Sequence, residues 1–222
     1  LPLLPPALLQ KYIRIKRIKC NGQRCQRDQR LQTGDVLQLY INDEFFDAPR
    51  EDNLFLTLFK PKLTILYEDE HILLLDKRPG VVVHADETEK VNTLINHICA
   101  YLYQKREWNP RWENAFTPAL CNRIDRNTGG IVIAAKTAEA LRILNDKIRN
   151  REITKRYLCV TVGRPNPAEG RIECFLLKDD AKNEVKVHRR PVPGGKTAIT
   201  LYRTIETRGE LSLVEAELLT GR

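Results

Sequence analysis

Apolar residues in this chain fall mostly into short runs separated by polar turns, and only in places do they repeat at helical spacing. Leu94, Ile95, Ile98, Cys99 and Leu102 share one face and predict a helix over 92–104, with Asn92 as its cap. His97 lies off that face and is expected to be exposed. Leu141, Leu144 and Ile148 predict a second helix over 137–150, capped by Thr137. Strands are expected over 36–41, 64–67, 71–75, 81–84, 131–135, 157–162, 197–206 and 211–219, where β-branched and apolar residues cluster between turn signals. Residues 164–196 read as loop-rich. Asn21-Gly22 predicts a tight hairpin, because both residues tolerate positive φ. The pattern is that of an α+β protein with a mixed, largely antiparallel central sheet.

Three segments follow from shifts in composition. Residues 1–43 form a small basic unit, with eight Lys/Arg against three Asp. Residues 44–62 turn acidic and carry prolines, which reads as a linker, while Leu54, Phe55, Leu56, Leu58 and Phe59 predict that it docks on something. A larger domain runs from 63 to 222, its carboxy-terminal part expected to lie beyond residue 222. The sequence contains no methionine.

The net charge of +8 points to a polyanionic partner, although it also serves solubility. Clustered Lys11, Arg14, Lys16 and Arg17 suit phosphate contacts, against the plainer reading of a solvated basic face. Cys20, Cys25, Cys99, Cys121, Cys159 and Cys174 are scattered without metal-ligand spacing, so reduced thiols and a cytoplasmic location are expected, with no metal and no cofactor. No apolar run reaches membrane-spanning length, and no membrane partner is expected.

The most chemically suggestive stretch is Cys121-Asn122-Arg123-Ile124-Asp125-Arg126-Asn127-Thr128-Gly129-Gly130, followed by the apolar run 131–135. A single carboxylate stands between two arginines on a loop that leads into a buried strand, a common setting for a catalytic group. A surface ion-pair network would look the same in sequence.

This stretch resembles the His-Arg-Leu-Asp-x-x-Thr-Ser-Gly signature of the RluA-type pseudouridine synthases, with Asn122 in place of the His and Gly129 in place of the Ser. Lys155-Arg156-Tyr157-Leu158 through Gly163 is similar to the family's Lys-x-Tyr-Leu-x-x-Val-x-Gly motif. Leu219-Thr220-Gly221-Arg222 resembles the start of its Thr-Gly-Arg-Thr-His-Gln-Ile-Arg motif. The basic segment ending in Arg30-Leu31-Gln32-Thr33-Gly34-Asp35-Val36-Leu37 resembles the later part of an S-four-type RNA-binding domain. The resemblance implies a pseudouridine synthase fold and an isomerase acting on RNA without cofactor or metal. It implies Asp125 as the catalytic carboxylate and Tyr157 as the residue packed on the target base. Arg123, Arg126, Lys155, Arg222, Lys11, Arg14, Lys16 and Arg17 become candidate RNA contacts. Whether Arg222 or an arginine further on stands beside the catalytic Asp is left open. Structured large-subunit ribosomal RNA is the expected partner, transfer RNA the competing one, and the chain is expected to be a monomer. The rival reading is a non-catalytic RNA-binding or ribosome-assembly protein on the same fold.

Overall fold

The computed structural model describes residues 1–113, 115–179 and 184–220. The chain divides into two compact units, Leu1–Asn145 and Asp146–Arg222.

In the first unit, helix α1 (Pro6–Arg14) starts on Pro6, whose fixed φ suits a first helical position, and ends with Lys11 and Arg14 in its last turn. Strands β1 (Ile18–Cys20), β2 (Gln23–Arg24) and β3 (Leu37–Leu39) form an antiparallel sheet in the order β2-β1-β3. The β1–β2 hairpin turns on Asn21 and Gly22, both at positive φ, as the sequence predicted. The Asn21 amide also donates to Asp35 at 2.8 Å and accepts the Val36 N–H at 2.9 Å, tying the hairpin to the segment before β3.

Residues 43–57 are not an extended linker. They carry two 3-10 turns, Asp43–Phe46 and Leu54–Thr57, that bury Phe45 and Phe55. Phe55 packs on the rings of Tyr103 and Trp108, at 5.7 and 5.3 Å between centroids. Two such large rings bury enough apolar area to hold this segment on its neighbours.

Strands β4 (Ile65–Glu68), β5 (Ile72–Lys77), β6 (Ala119–Leu120) and β7 (Gly130–Ala135) form a second antiparallel sheet in the order β4-β5-β7-β6. Helix α2 (Leu94–Lys105) is capped by Thr93, not Asn92: the Thr93 hydroxyl accepts the Asn96 N–H. Leu94, Ile98 and Leu102 are buried as expected. His97 is buried too, contrary to expectation, and its Nδ1 accepts the Lys62 N–H at 3.1 Å. The expected strand at 81–84 does not form. The Val82 and Val83 carbonyls instead accept the Leu94 and Ile95 N–H groups at 2.8 and 3.2 Å, satisfying donors that the start of α2 leaves unpaired.

Helix α3 (Ala138–Arg149) begins at Thr137, whose hydroxyl accepts the Ala140 N–H. The second unit holds β8 (Arg156–Val162), β9 (Glu169–Asp179), β10 (Glu184–His188), β11 (Lys196–Arg208) and β12 (Leu211–Leu218). These form one antiparallel sheet in the order β10-β9-β11-β12-β8. β9 and β10 replace the loops expected between 164 and 196. The α+β class and the dominance of antiparallel pairing hold.

Candidate active site

The Asp125 segment is the loop of a wide hairpin. β6 pairs with the far end of β7, Ala119 opposite Ala135, and the chain returns into β7 at Gly130. Cys121 continues the pairing beyond β6, its N–H donating to the Ile133 carbonyl at 2.8 Å. Asn122 then does with its side chain what a strand does with its backbone. Its Oδ1 accepts the Ile133 N–H at 2.8 Å and its Nδ2 donates to the Ile131 carbonyl at 3.3 Å. Ile124 is buried and Asp125 is exposed. The Thr128 N–H donates to the Asp125 carbonyl at 3.1 Å, closing the turn.

A second element grips the loop from the other side. Lys77, the last residue of β5, is 1% exposed, and its ammonium donates to the carbonyls of Arg78, Val81 and Arg126 at 3.2, 2.9 and 3.1 Å. Gly80, at φ +89°, donates its N–H to the Arg126 carbonyl at 2.7 Å. A side chain at Gly80 would be strained in that conformation. Burial pulls the Lys77 ammonium below its ordinary pKa, and the Asp125 carboxylate acts in the opposite direction. A β-carbon on Gly129 would stand 3.1 Å from Pro79 Cδ, so the 79–80 turn and the Asp125 loop are in close contact.

The arginines flanking Asp125 in sequence diverge in space. Arg126 donates to Asp86 Oδ2 at 3.0 Å and to Thr88 Oγ1 at 2.6 Å, which fastens the loop to the segment before α2. The Thr88 hydroxyl and N–H and the Glu89 N–H hold the Asp86 carboxyl below its usual range, with Arg126 adding to the effect. Arg123 is exposed and makes no ion pair among the described residues. Its charge is felt by His84, whose imidazole is pushed down first by burial and then by that guanidinium. Buried Lys77, distant from Asp125 in sequence, is the lysine that feels the Asp125 carboxylate electrostatically. Desolvation pushes the half-buried Cys121 thiol up to about 11, so it stays protonated at neutral pH.

The other candidates lie elsewhere. Lys11 and Arg14 on α1 line a cavity of about 830 Å³ together with Arg24 and Arg27. Lys16 and Arg17 follow α1, and the Arg17 guanidinium stacks over the Tyr12 ring at 5.6 Å instead of joining that cavity. In the second unit, Tyr157 is half-buried near the start of β8, opposite Ala216 on β12. The Lys155 carbonyl accepts the Leu218 N–H at 3.1 Å. Arg222 lies outside the described residues. Among the described residues no three His, Cys, Asp or Glu side chains are grouped to ligate a metal, and no helix is long and apolar enough to cross a membrane.

The sequence profile of a family described as RNA pseudouridylate synthase matches residues 71–222, from β5 through the Asp125 hairpin and the whole second unit. The chain belongs to the RNA pseudouridylate synthase family. It is 33% identical to an uncharacterized RNA pseudouridine synthase of Mycoplasma genitalium, over all of this chain and 68% of that protein. It is 28% identical to ribosomal large subunit pseudouridine synthase C of Vibrio cholerae, over 99% of this chain and 66% of that one. The matching span is therefore about two thirds of those relatives' length. A solved structure titled Human RNA Pseudouridylate Synthase Domain Containing 4 aligns with a TM-score of 0.57 and 21% identity, over 71% of this chain and 59% of that one. That likeness concerns the fold. The chain is thus an isomerase of the RNA pseudouridine synthase class, and the non-catalytic reading of its sequence is not favoured.

Proposed function

We propose that the protein converts uridines of large-subunit ribosomal RNA to pseudouridine, with Asp125 as the catalytic carboxylate. The observation that carries this reading is the state of that side chain. The Asp125 carboxylate has no hydrogen bond or ion pair among the described residues, yet its loop is pinned on one flank by Asn122 and on the other by buried Lys77. A carboxylate in a surface ion-pair network would be engaged, as Asp86 is with Arg126. One held in place but unoccupied is available to a substrate.

The reaction breaks the bond between ribose carbon-1 and uracil N1, turns the ring, and forms a bond from the same ribose carbon to ring carbon-5. The hydrogen on carbon-5 is lost, and N1 gains one. The target base must leave its stack before Asp125 can reach the glycosidic bond. Tyr157, on the motif that matches the family, supplies a ring for the displaced uracil, and its phenol keeps a polar edge toward it. Arg123, exposed and without an ion pair, contacts phosphate near the target. Residues 1–43 form a basic RNA-binding module that adds affinity through Lys11 and Arg14. The reading places a monomer in the cytoplasm, with ribosomal RNA as its substrate; the names of the ribosomal relatives support the choice of RNA.

Tritium release from RNA labelled at uridine carbon-5 tests it. Wild-type protein is expected to release tritium from ribosomal RNA and Asp125→Asn none, with RNA affinity unchanged. Release by Asp125→Asn at the wild-type rate would remove Asp125 from the chemistry. Release from transfer RNA alone would replace the substrate.

A further inference from the structure

The two tryptophans, Trp108 and Trp112, sit four positions apart in different surroundings. Trp108 is 6% exposed, its indole N–H donating to the Phe116 carbonyl. Trp112 is 75% exposed. So much indole in water is costly, and the hydrophobic core of this unit is already furnished with Phe45, Phe55 and Trp108. The Trp112 backbone is not loose. Its N–H donates to the Asn109 carbonyl at 3.0 Å, and Asn109 is buried, its amide donating to Glu44 at 3.0 Å and its Oδ1 accepting the Arg111 N–H at 2.9 Å.

Trp112 lines a cavity of about 770 Å³ within the first unit, bounded by α1, the 42–46 turn and the end of α2. Its cationic lining is Lys11, Arg17, Arg106 and Arg111, and its acids are Asp43 and Glu44. Glu44 is buried and taken up by Tyr103 and Asn109, and Asp43 lies 4.0 Å from Arg111. Lys11 and Arg106 have no ion pair among the described residues. An exposed indole at the rim of a positively charged cavity of this size matches one ligand chemistry: a planar base with phosphates on either side.

We propose that this cavity takes an unpaired nucleotide of the RNA, its base stacked on Trp112 and its neighbouring phosphates on Lys11 and Arg106. The inference rests on the RNA-modifying reading above and adds to it a second contact point, separate from the Asp125 hairpin, for a single-stranded part of the substrate.

The test uses the full chain, a single-stranded oligouridylate and a blunt RNA duplex, with tryptophan emission as readout. Oligouridylate is expected to quench wild-type emission. Trp112→Phe keeps a stacking ring and should bind within about twofold of wild type but without the quench, since only buried Trp108 remains. Trp112→Ala should bind about tenfold more weakly, and because the side chain is exposed its fold should be intact. Arg106→Gln should flatten the salt dependence by about 0.7 in log–log slope, the value for one single-strand phosphate. Equal affinity of wild type and Trp112→Ala, a quench that survives in Trp112→Phe, or duplex bound as tightly as the single strand would each overturn the proposal. Tritium release measured in parallel separates the two readings. Release with no change at Trp112 sinks only the nucleotide cavity, and a Trp112-dependent quench without release sinks only the catalytic assignment.

Discussion

Replacing Lys77 by Met tests what holds the Asp125 loop in place. Methionine has nearly the same length and apolar stem but no ammonium, so the cavity stays filled. Three acceptors then lose a donor, with unequal consequences. The Arg126 carbonyl keeps the Gly80 N–H at 2.7 Å, and the Arg78 carbonyl keeps a weak bond from Val81 at 3.4 Å. The Val81 carbonyl keeps no donor among the described residues. Stranding that carbonyl costs about 1–3 kcal/mol. Two further charge-assisted bonds are lost, offset in part because an ammonium no longer has to be buried. The net expectation is about 2–4 kcal/mol, or roughly 4–16 °C in melting temperature for a chain of this size. Both tryptophans lie in the first unit, so denaturant unfolding followed by tryptophan emission reports the unit that contains Lys77. Tritium release should fall at least about tenfold, since a loop displaced by as little as 1 Å loses its catalytic geometry. A loss of stability below about 0.5 kcal/mol, the size of an ordinary surface substitution, would show that the ammonium is not what joins the two segments.

Other outcomes follow from the same geometry. Glu68 accepts from Lys105 at 2.8 Å, from Tyr101 at 2.7 Å and from Lys136 at 3.1 Å; burial alone would raise its pKa, but these bonds hold it down to about 2. Its folded pKa is below the ordinary 4.5, so its contribution is complete above that value and fades as pH falls toward 2. After allowance for solvent screening this is on the order of 2 kcal/mol, and Glu68→Gln should flatten the acid limb of denaturation midpoints measured against pH. Asn122→Ala removes the amide that pairs with Ile131 and Ile133 and should cost about 1–3 kcal/mol and lower kcat more than it raises KM; an unchanged kcat would exclude a positioning role. Gly129→Ser restores the family's usual residue but drives a β-carbon to 3.1 Å from Pro79, so a loss of roughly 1 kcal/mol in melting experiments is expected, and a gain would show that the turn yields freely.

The elements legible in the sequence are those whose signals are local. The Asn21-Gly22 hairpin, the Thr137 cap and the β7 run were readable because each rests on the conformational preferences of adjacent residues. The errors arise where a distant partner decides. Val81, Val82 and Val83 have strand propensity, yet their carbonyls go to Lys77 and to the first N–H groups of α2. His97 reads as exposed on a helical wheel, but the segment at Lys62 packs over it. Strands β9 and β10 escaped notice because charged residues are interleaved with their apolar ones, and the sheet shows both faces in part to solvent.

The site itself shows the same division more sharply. Sequence adjacency surrounded Asp125 with Arg123 and Arg126, and in a loop adjacency says little about direction. Arg126 is turned to Asp86 and Thr88, and Arg123 bears on His84. The cation that feels the Asp125 carboxylate, Lys77, stands 48 positions earlier, buried at the end of a neighbouring strand. A buried lysine whose three bonds all go to backbone carbonyls can fix the path of two loops at once, which an exposed arginine cannot do. The two departures from the family signature fit this arrangement. Asn122 supplies a donor and an acceptor at the spacing that β7 presents, and Gly129 admits Pro79 where a larger residue would crowd it. With both, the Asp125 carboxylate has no hydrogen bond or ion pair among the described residues, which leaves it open to a substrate, as the proposed function requires.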